Sequence, residues 1–366
     1  MTWKARLSRY RLPLGGTVRT ARAAWHERSG AILTIEDGRG GFGQGEAAPL
    51  PGYSDETLAE AERQLGALDL ALLEAALTRA VDEPHLLGPA LRQTLPNALP
   101  SARFALETAA FDWLARRRDE PLHALLARLS ATSSDAAGSL PLAALLESDD
   151  PIASAERAVT AGFASLKLKV GLPGREHEEL ALIQALRARF DPQLRIRLDA
   201  NGAWTHSVAR ERLKAFAAFG IEFIEEPTAF GETPLIAPAV AVALDETLRR
   251  APLPARAELA ERRVTALVLK PTVLGGLLTT LELAQKARIF GCASVFSHCF
   301  EGPIAYRATC ELALTLGTSA VAQGLAPHSG LTAWPVPSST GAATARLARH
   351  QAPGLGLGSI PLEVPP

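Results

Sequence analysis

The sequence predicts an α/β protein: a (β/α)8-type barrel with an α+β capping domain in front of it. Three observations predict this. From about Leu140 onward, short apolar runs alternate with amphipathic segments, a βα repetition that implies parallel strands. Charged residues close five of those runs, namely Lys169, Asp199, Glu225, Asp245 and Lys270, at gaps of 30, 26, 20 and 25 residues, each about the length of a strand, a loop and a crossover helix. And the 366 residues exceed the roughly 250 that such a barrel uses, leaving about one hundred for a second unit. An open doubly wound sheet would show the same alternation, but eight near-equal units with charge at the strand ends favour closure.

The chain divides at about residue 130, with the capping domain over 1–130 and the barrel over 131–340. At the start, Trp3, Ala5 and Leu7 alternate with polar neighbours. Residues 30–35 and 41–48 flank the turn Glu36-Asp37-Gly38-Arg39-Gly40 and read as a hairpin. Gly38, Gly40 and Gly43 formally satisfy GxGxxG, but that motif must open a helix to cradle a dinucleotide, and here it enters a strand-like run. Residues 55–73 and 101–118 have helical periodicity, the second with Phe104, Ala105, Thr108, Phe111 and Leu114 or Ala115 on one face. A Pro/Asn/Leu stretch at 95–100 separates them.

The eight barrel strands are expected at 140–145, 165–170, 195–200, Ile221–Glu225, 240–245, 266–270, 293–298 and 320–324. Amphipathic helices are expected at 178–190, 207–219 and Leu277–Phe290. Beyond Pro327 the chain is rich in Pro and Gly, and the tail from about 340 to 366 is expected to return to the capping domain.

Composition excludes several classes. With 47% hydrophobic residues, 21% charged residues and a net charge of −1, the chain can bury a large core and offers no electrostatic footprint for nucleic acid. No run of about eighteen uncharged apolar residues suggests a membrane span, and the cationic N-terminus lacks a signal-peptide core, so a cytoplasmic protein is expected. Cys292, Cys299 and Cys310 are odd in number and lack CxxC spacing, which points to buried thiols rather than disulfides or zinc. The sequence leaves a homo-oligomer open.

The chemistry concentrates at the strand ends. Side chains two apart on a strand face the same way, so Lys167 and Lys169 both enter the barrel while Leu166 and Leu168 face outward. Asp199, Glu225 and Asp245 end three consecutive strands and can converge on one point. Singly, each would read as a helix cap or a surface ion pair; together they form an oxygen-rich site for a hard divalent cation, Mg²⁺ above all, with Mn²⁺ also suited. His298 and His328 stand thirty residues apart with no HxH pair, which argues against a zinc hydrolase.

Three carboxylates, a divalent ion, a substrate carboxylate and two or three lysines leave room for a second developing negative charge. Abstraction of a proton next to a carboxylate needs that. Lys169, nearer the strand's C-terminal end, is the candidate base; Lys167, one layer deeper, would depress its neighbour's pKa; Lys270 would approach from the opposite face. A small-molecule carboxylate is therefore the expected partner.

Lys167-Leu-Lys169, Leu198-Asp-Ala-Asn201-Gly, Phe223-Ile-Glu225-Glu-Pro227, Leu244-Asp245-Glu246 and Lys270-Pro-Thr-Val-Leu-Gly-Gly276 resemble the strand-end signatures of the enolase superfamily, muconate-lactonising-enzyme subgroup. The segment Gly43-Gln-Gly-Glu-Ala-Ala-Pro-Leu-Pro-Gly-Tyr-Ser54 resembles that subgroup's capping segment, so the likeness spans nearly the whole chain. It implies Mg²⁺ on Asp199, Glu225 and Asp245, and Lys169 with Lys270 as the acid/base pair. The capping loop and the Lys-Pro-Thr run look most like members of the menaquinone pathway. Those members dehydrate a succinyl-hydroxycyclohexadiene carboxylate to an aromatic succinylbenzoate.

Arg19 and Tyr53, on the loops at 13–23 and 49–55, are candidates to bind substrate, as are Asn201, Ser297 and His298. A surface cation, a turn residue and a packed strand histidine are the plainer readings of Arg19, Tyr53 and His298. The segment Ser297-His-Cys-Phe-Glu-Gly-Pro303 departs from the subgroup's serine-rich stretch, which loosens the inference of substrate. Racemisation of N-acylated amino acids or epimerisation of dipeptides would use the same lysines. A dipeptide epimerase usually shows an Asp-x-Asp near the eighth strand, and residues 324–330 have none. A Schiff-base aldolase on Lys270 leaves the three carboxylates unexplained, and a non-catalytic binding barrel predicts no Mg²⁺ affinity.

Overall fold

The structure is a computed structural model that describes residues 3–19, 24–131, 138–147, 149–229, 238–250, 253–254, 256–328, 331 and 345–358, with the backbone alone at 15–19. The chain opens with an antiparallel sheet of β1 (Lys4–Arg19), β2 (Ala24–Glu36) and β3 (Phe42–Ala47), in that order. The β2–β3 turn closes on Asp37, whose Oδ1 accepts the N–H groups of Arg39 (2.8 Å) and Gly41 (2.9 Å). Gly38 and Gly40 take positive φ there, so the glycines of the formal GxGxxG serve a tight turn.

Five helices follow: α1 (Leu58–Gly66), α2 (Leu70–Ala80), α3 (Leu87–Thr94), α4 (Pro100–Arg117) and α5 (Leu122–Leu129). The single helix expected over 55–73 is two. Asp69 accepts from the N–H groups of Ala71 and Leu72 and starts a new helix, a local cap that outweighs continuous periodicity. α4 is buried around nearly its whole circumference from Ser101 to Ala115, where one apolar face was expected. Glycines make this close packing possible. A Cβ on Gly45 would stand 1.8 Å from the carbonyl oxygen of Ala105, and one on Gly43 2.1 Å from that of Ala109.

Next come β4 (Ser139–Pro141), β5 (Ala144–Leu145), α6 (Pro151–Thr160), β6 (Ser165–Lys169), α7 (Glu176–Arg189), β7 (Arg195–Asp199), α8 (His206–Phe216), β8 (Ile221–Glu225) and β9 (Val242–Leu244). The chain continues through α9 (Thr247–Arg250), α10 (Arg256–Glu261), β10 (Val264–Leu269), α11 (Pro271–Leu274), α12 (Leu277–Phe290), β11 (Ala293–Phe296), α13 (Pro303–Leu316) and β12 (Arg346–Ala348). Strands β5 to β11 form one seven-stranded parallel sheet in sequential order. The eighth expected strand, 320–324, is reduced to two residues that join the sheet's edges. Gln323 bridges to Leu142 and Gly324 to Ser297, with the Ala143 N–H on Gln323 O at 2.8 Å and the Gly324 N–H on Phe296 O at 2.9 Å. The first expected run, 140–145, also splits, because β4 pairs antiparallel with β12 and only β5 joins β6.

The tail segment 345–358 lies against α4 and α5. Asp112 accepts the Leu355 N–H at 2.8 Å, and Gly354 bridges to Pro121. Apolar positions on the strands, among them Leu166, Leu168, Ile196, Leu198, Ile224 and Leu269, are buried. At the barrel floor Arg197 donates to Glu222 and to Ala322 O and lies over the Phe223 ring.

Replacing Gly45 with alanine is expected to destabilise the protein by about 3 kcal/mol, because neither backbone can retreat without breaking its ladder. Denaturant unfolding reads the shift in midpoint, and an unchanged midpoint would mean that the two backbones have room to part.

Candidate active site

Parallel register sets the site. Lys169 is level with Asp199, and Asp199 with Glu225, on three adjacent strands. Asp245 lies one residue beyond β9, and Lys270 one beyond β10, where it precedes the Pro271 that opens α11. All five charges thus stand at the carboxyl ends of the strands.

Lys167 Nζ lies 2.9 Å from Asp199 Oδ2 and 2.5 Å from Glu225 Oε2, bridging the two. Lys169 Nζ donates to Asp199 Oδ2 at 3.1 Å and to Asn201 Oδ1 at 2.9 Å. Lys270 Nζ reaches Asp245 Oδ2 at 2.5 Å and the Tyr53 hydroxyl at 2.8 Å. That hydroxyl in turn donates to Asp245 Oδ1 at 3.3 Å. Tyr53 therefore carries the capping unit into the barrel mouth.

Asn201 takes a left-handed turn at φ 45°, which asparagine tolerates better than most residues. Its N–H donates to Asp199 Oδ1, and its Nδ2 donates to Glu246 Oε1 at 3.1 Å. Glu226 adopts φ 39°, where a glutamate is strained, and its carboxylate collects the N–H groups of Asp245 and Thr247.

Burial works against every charge here, and the partners decide the outcome. It pushes the Asp199 carboxyl upward, but Lys167 and Lys169 outweigh it and hold Asp199 well below the usual carboxylate range. Burial also dominates at Glu225, where Asp199 and Asp245 add to it, so that carboxyl is pushed up despite Lys167. At Lys167 and Lys270 burial opposes the charge, and the facing carboxylates overcome it and raise both ammonium groups above their ordinary value. Glu246 is pushed up to about 8, by burial first and then by Asp245.

Asp199, Glu225, Glu226, Asp245 and Glu246 are all buried. With Glu246 pushed up to about 8, the other four carboxylates ionised against three ammonium groups leave one negative charge in excess. One further atom, Glu246 Oε2, is buried without a hydrogen-bond partner. An all-oxygen donor set with that excess has the chemistry that suits a hard divalent cation. Here, however, Lys167 and Lys270 sit among the carboxylates, and Asp199, Glu225 and Asp245 do not bring three ligand atoms within 4.8 Å of one another.

Among the described residues, the set of three ligand atoms that lie within 4.8 Å of one another is elsewhere: His123 on α5, Glu311 on α13 and His350 in the tail. These donors can coordinate a divalent ion, and two imidazoles would select zinc-class metals over Mg²⁺. All three groups are already engaged. Glu311 Oε2 meets His123 Nδ1 at 2.8 Å, and Glu311 Oε1 meets His350 Nε2 at 2.8 Å and Arg307 at 3.1 Å. The geometry is that of a clasp joining two helices to the tail.

The substrate-binding candidates fare differently. Both ring nitrogens of His298 face main chain, Nδ1 toward the Phe300 N–H and Nε2 toward Ala326 O. Burial lowers its pKa, which keeps the ring neutral. Ser297 is buried beside Gly324. The side chain of Arg19 lies outside the described residues. Sequence reasoning missed Glu46, whose carboxylate accepts the N–H groups of Gly302, Ile304 and Ala305 at the start of α13 and the Tyr10 hydroxyl. The Gly-Glu-Ala-Ala-Pro segment that carries it signals only the family resemblance. All three cysteines are free and buried, as expected. No helix among the described residues is long and apolar enough to cross a membrane.

Such a barrel, with basic and acidic groups alternating at the strand ends beneath a capping sheet, defines a class of catalytic α/β-barrel proteins. Residues 150–359 match the family model for enolase C-terminal domain-like proteins, and residues 2–113 match that for the MenC N-terminal domain. The chain belongs to the enolase superfamily, muconate-lactonising-enzyme subgroup.

Among curated relatives it is 31% identical over 326 residues to an o-succinylbenzoate synthase of Thermosynechococcus vestitus, covering 85% of this chain and 88% of that one. An o-succinylbenzoate synthase from an Enterobacter species is 33% identical over 316 residues, covering 82% and 83%. In fold, the chain resembles a muconate lactonizing enzyme of Pseudomonas fluorescens, with a TM-score of 0.80 at 22% identity over 97% of this chain and 95% of that one. It also resembles a dipeptide epimerase of Enterococcus faecalis, with a TM-score of 0.76 at 22% identity over 98% and 99%.

Glu311 supplies a pH-dependent stability. Burial would raise its carboxyl, but His123, His350 and Arg307 hold it at about 2 against an ordinary 4.5. A depressed carboxyl stabilises the fold above about pH 4.5, and that contribution, about 3 kcal/mol, is lost as pH falls toward 2. The stability gap between wild type and Glu311→Gln should therefore be largest near neutral pH and narrow steadily on acidification. A gap constant from pH 7 to 3 would contradict it.

Proposed function

We propose that this protein is an o-succinylbenzoate synthase, dehydrating 2-succinyl-6-hydroxy-2,4-cyclohexadiene-1-carboxylate to 2-succinylbenzoate in menaquinone biosynthesis. One observation carries the reading. Three ammonium groups are interleaved with strand-end carboxylates around one buried mouth, Lys169 on the Asp199 side and Lys270 on the Asp245 side. The likeness to synthases at 31 and 33% identity supports the choice of substrate. In this reading residues up to about 130 form the capping domain and the barrel follows to about 340.

Mg²⁺, held by Asp199, Glu225 and Asp245, would supply Lewis-acid stabilisation of the negative charge that develops on the substrate carboxylate. Lys169 removes the proton alpha to that carboxylate and returns it to the departing hydroxyl on the same face, so that water leaves and the ring becomes aromatic. Asn201 orients Lys169 through its Oδ1. Lys270, steadied by Tyr53, stays protonated and faces the enediolate from the other side as a fixed cation. Lys167, fixed between Asp199 and Glu225, adds positive charge beneath the ring.

Purified protein with Mg²⁺ and the cyclohexadiene acid should show the ultraviolet absorbance rise of aromatisation, abolished by a chelator and restored by Mg²⁺. Racemisation of N-succinyl amino acids with no aromatic product would transfer the assignment to the racemase reading. Lys169→Ala should eliminate exchange of the alpha proton with solvent deuterium, with a loss of at least about a thousandfold in rate. Exchange at the wild-type rate would exclude Lys169 as the base.

A further inference from the structure

A small cavity opens beside the barrel mouth, between the capping sheet and the loop after β11, with Tyr10, Leu12, Arg28, Phe300, Glu301 and His328 among its walls. At about 10 Å³ it has room for roughly one water. Two of its polar groups are incompletely used. His328 engages Glu301 O at 2.8 Å through Nε2, and its Nδ1 is buried with no partner. The second is Arg28.

Four arginines are buried among the described residues: Arg28, Arg197, Arg262 and Arg307. The last three pair with Glu222, Glu258 and Glu311. Arg28, 3% exposed, has no carboxylate within 4.0 Å among the described residues and bonds only to carbonyl oxygens. Nε donates to Phe300 O at 3.1 Å, one terminal nitrogen to Pro49 O at 3.0 Å and the other to Ala48 O at 2.5 Å. A guanidinium carries five N–H groups, so about two remain. Glu301 shares the cavity wall and Glu46 lies across Tyr10, but neither pairs with Arg28. A buried cation with no carboxylate in direct contact is costly to hold in place, and an anionic ligand would relieve that cost.

Phe300, whose carbonyl Arg28 holds, takes a left-handed turn at φ 58°. It packs with Leu14, Trp25, Leu50, Val273, Cys299 and Tyr53 in one apolar cluster, and Tyr53 touches Lys270. An apolar wall therefore runs from the catalytic lysine to Arg28.

We propose that Arg28 and His328 form the subsite for a second carboxylate, carried by a short acyl chain that lies along this wall. This rests on the synthase reading only in naming that chain as the succinyl arm. One carboxylate oxygen takes the remaining N–H groups of Arg28 from the open side of the cavity, and the single water that the cavity can hold donates both to that carboxylate and to His328 Nδ1. Arg28 is then a specificity-determining residue: it selects dicarboxylates over acids that end in a methyl group.

The test compares equilibrium binding of o-succinylbenzoate and of 2-butyrylbenzoate, which lacks the far carboxylate, by titration calorimetry with Mg²⁺ present. Wild type should favour the dicarboxylate by about tenfold to a hundredfold, and Arg28→Gln should erase that preference while leaving 2-butyrylbenzoate affinity within about twofold. Because Arg28 also braces three carbonyls, Leu12→Phe provides a second variant, filling the cavity from β1 with the arginine intact, and it should erase the preference too. A wild type that binds both acids alike overturns the subsite even if synthase turnover is found. A preference that survives in both folded variants overturns it equally. Turnover is not read in this titration, so a failed synthase assay would leave the binding comparison standing.

Discussion

Charge buried at the mouth of a parallel barrel has to be partnered within the barrel, and the structure meets that demand through strand register. Lys169, Asp199 and Glu225 are level on neighbouring strands, so Asp199 pairs with both Lys167 and Lys169, and Lys167 also reaches Glu225. A one-residue slip of β7 would turn Asp199 to the opposite face and leave Lys167 and Lys169 without their shared partner. The apolar alternation that pins this register, Leu166 with Leu168 and Ile196 with Leu198, is thus a condition of the chemistry as much as of stability.

The capping sheet is joined to the barrel by the same kind of interaction. Glu46 on β3 holds the first turn of α13, Arg28 on β2 holds the carbonyl of Phe300, and Tyr53 reaches Lys270. From the barrel side, the Leu278 N–H in the first turn of α12 donates to Glu107 of α4, a carboxyl that burial pushes up to about 7. Each contact crosses between the two parts of the chain and ends at a helix start or a loop next to the mouth. Positioning of the site is therefore shared by side chains far apart in sequence.

Much of this was legible beforehand because strands leave a period and charge leaves an interruption. Ile221–Glu225 and Leu277–Phe290 have the bounds that their apolar patterns predict. Other parts were hidden for physical reasons. Asp69 breaks a continuous helical periodicity through two hydrogen bonds that no hydrophobic pattern records. The eighth strand shrinks to Gln323 and Gly324 because closing the barrel takes only a few bonds to either edge. α4 reads as amphipathic, yet it is packed on all sides, since Glu107 and Asp112 find buried partners on its polar face. Arg28 and Glu46 look like ordinary strand charges in sequence, and their roles depend on backbone groups some 250 residues away.

The tail segment gives the fold an order in time. Asp112 and Glu311 are buried acids whose partners include Leu355 and His350, which synthesis delivers more than two hundred and nearly forty residues later, respectively. A nascent chain with α4 and α13 already assembled would keep Gln44 and Arg116 on Asp112, and His123 and Arg307 on Glu311, but would lack the donors from the tail until that segment is made. The contacts made by Leu355 and His350 are accordingly late ones, available only once both α4 and α13 have been synthesised.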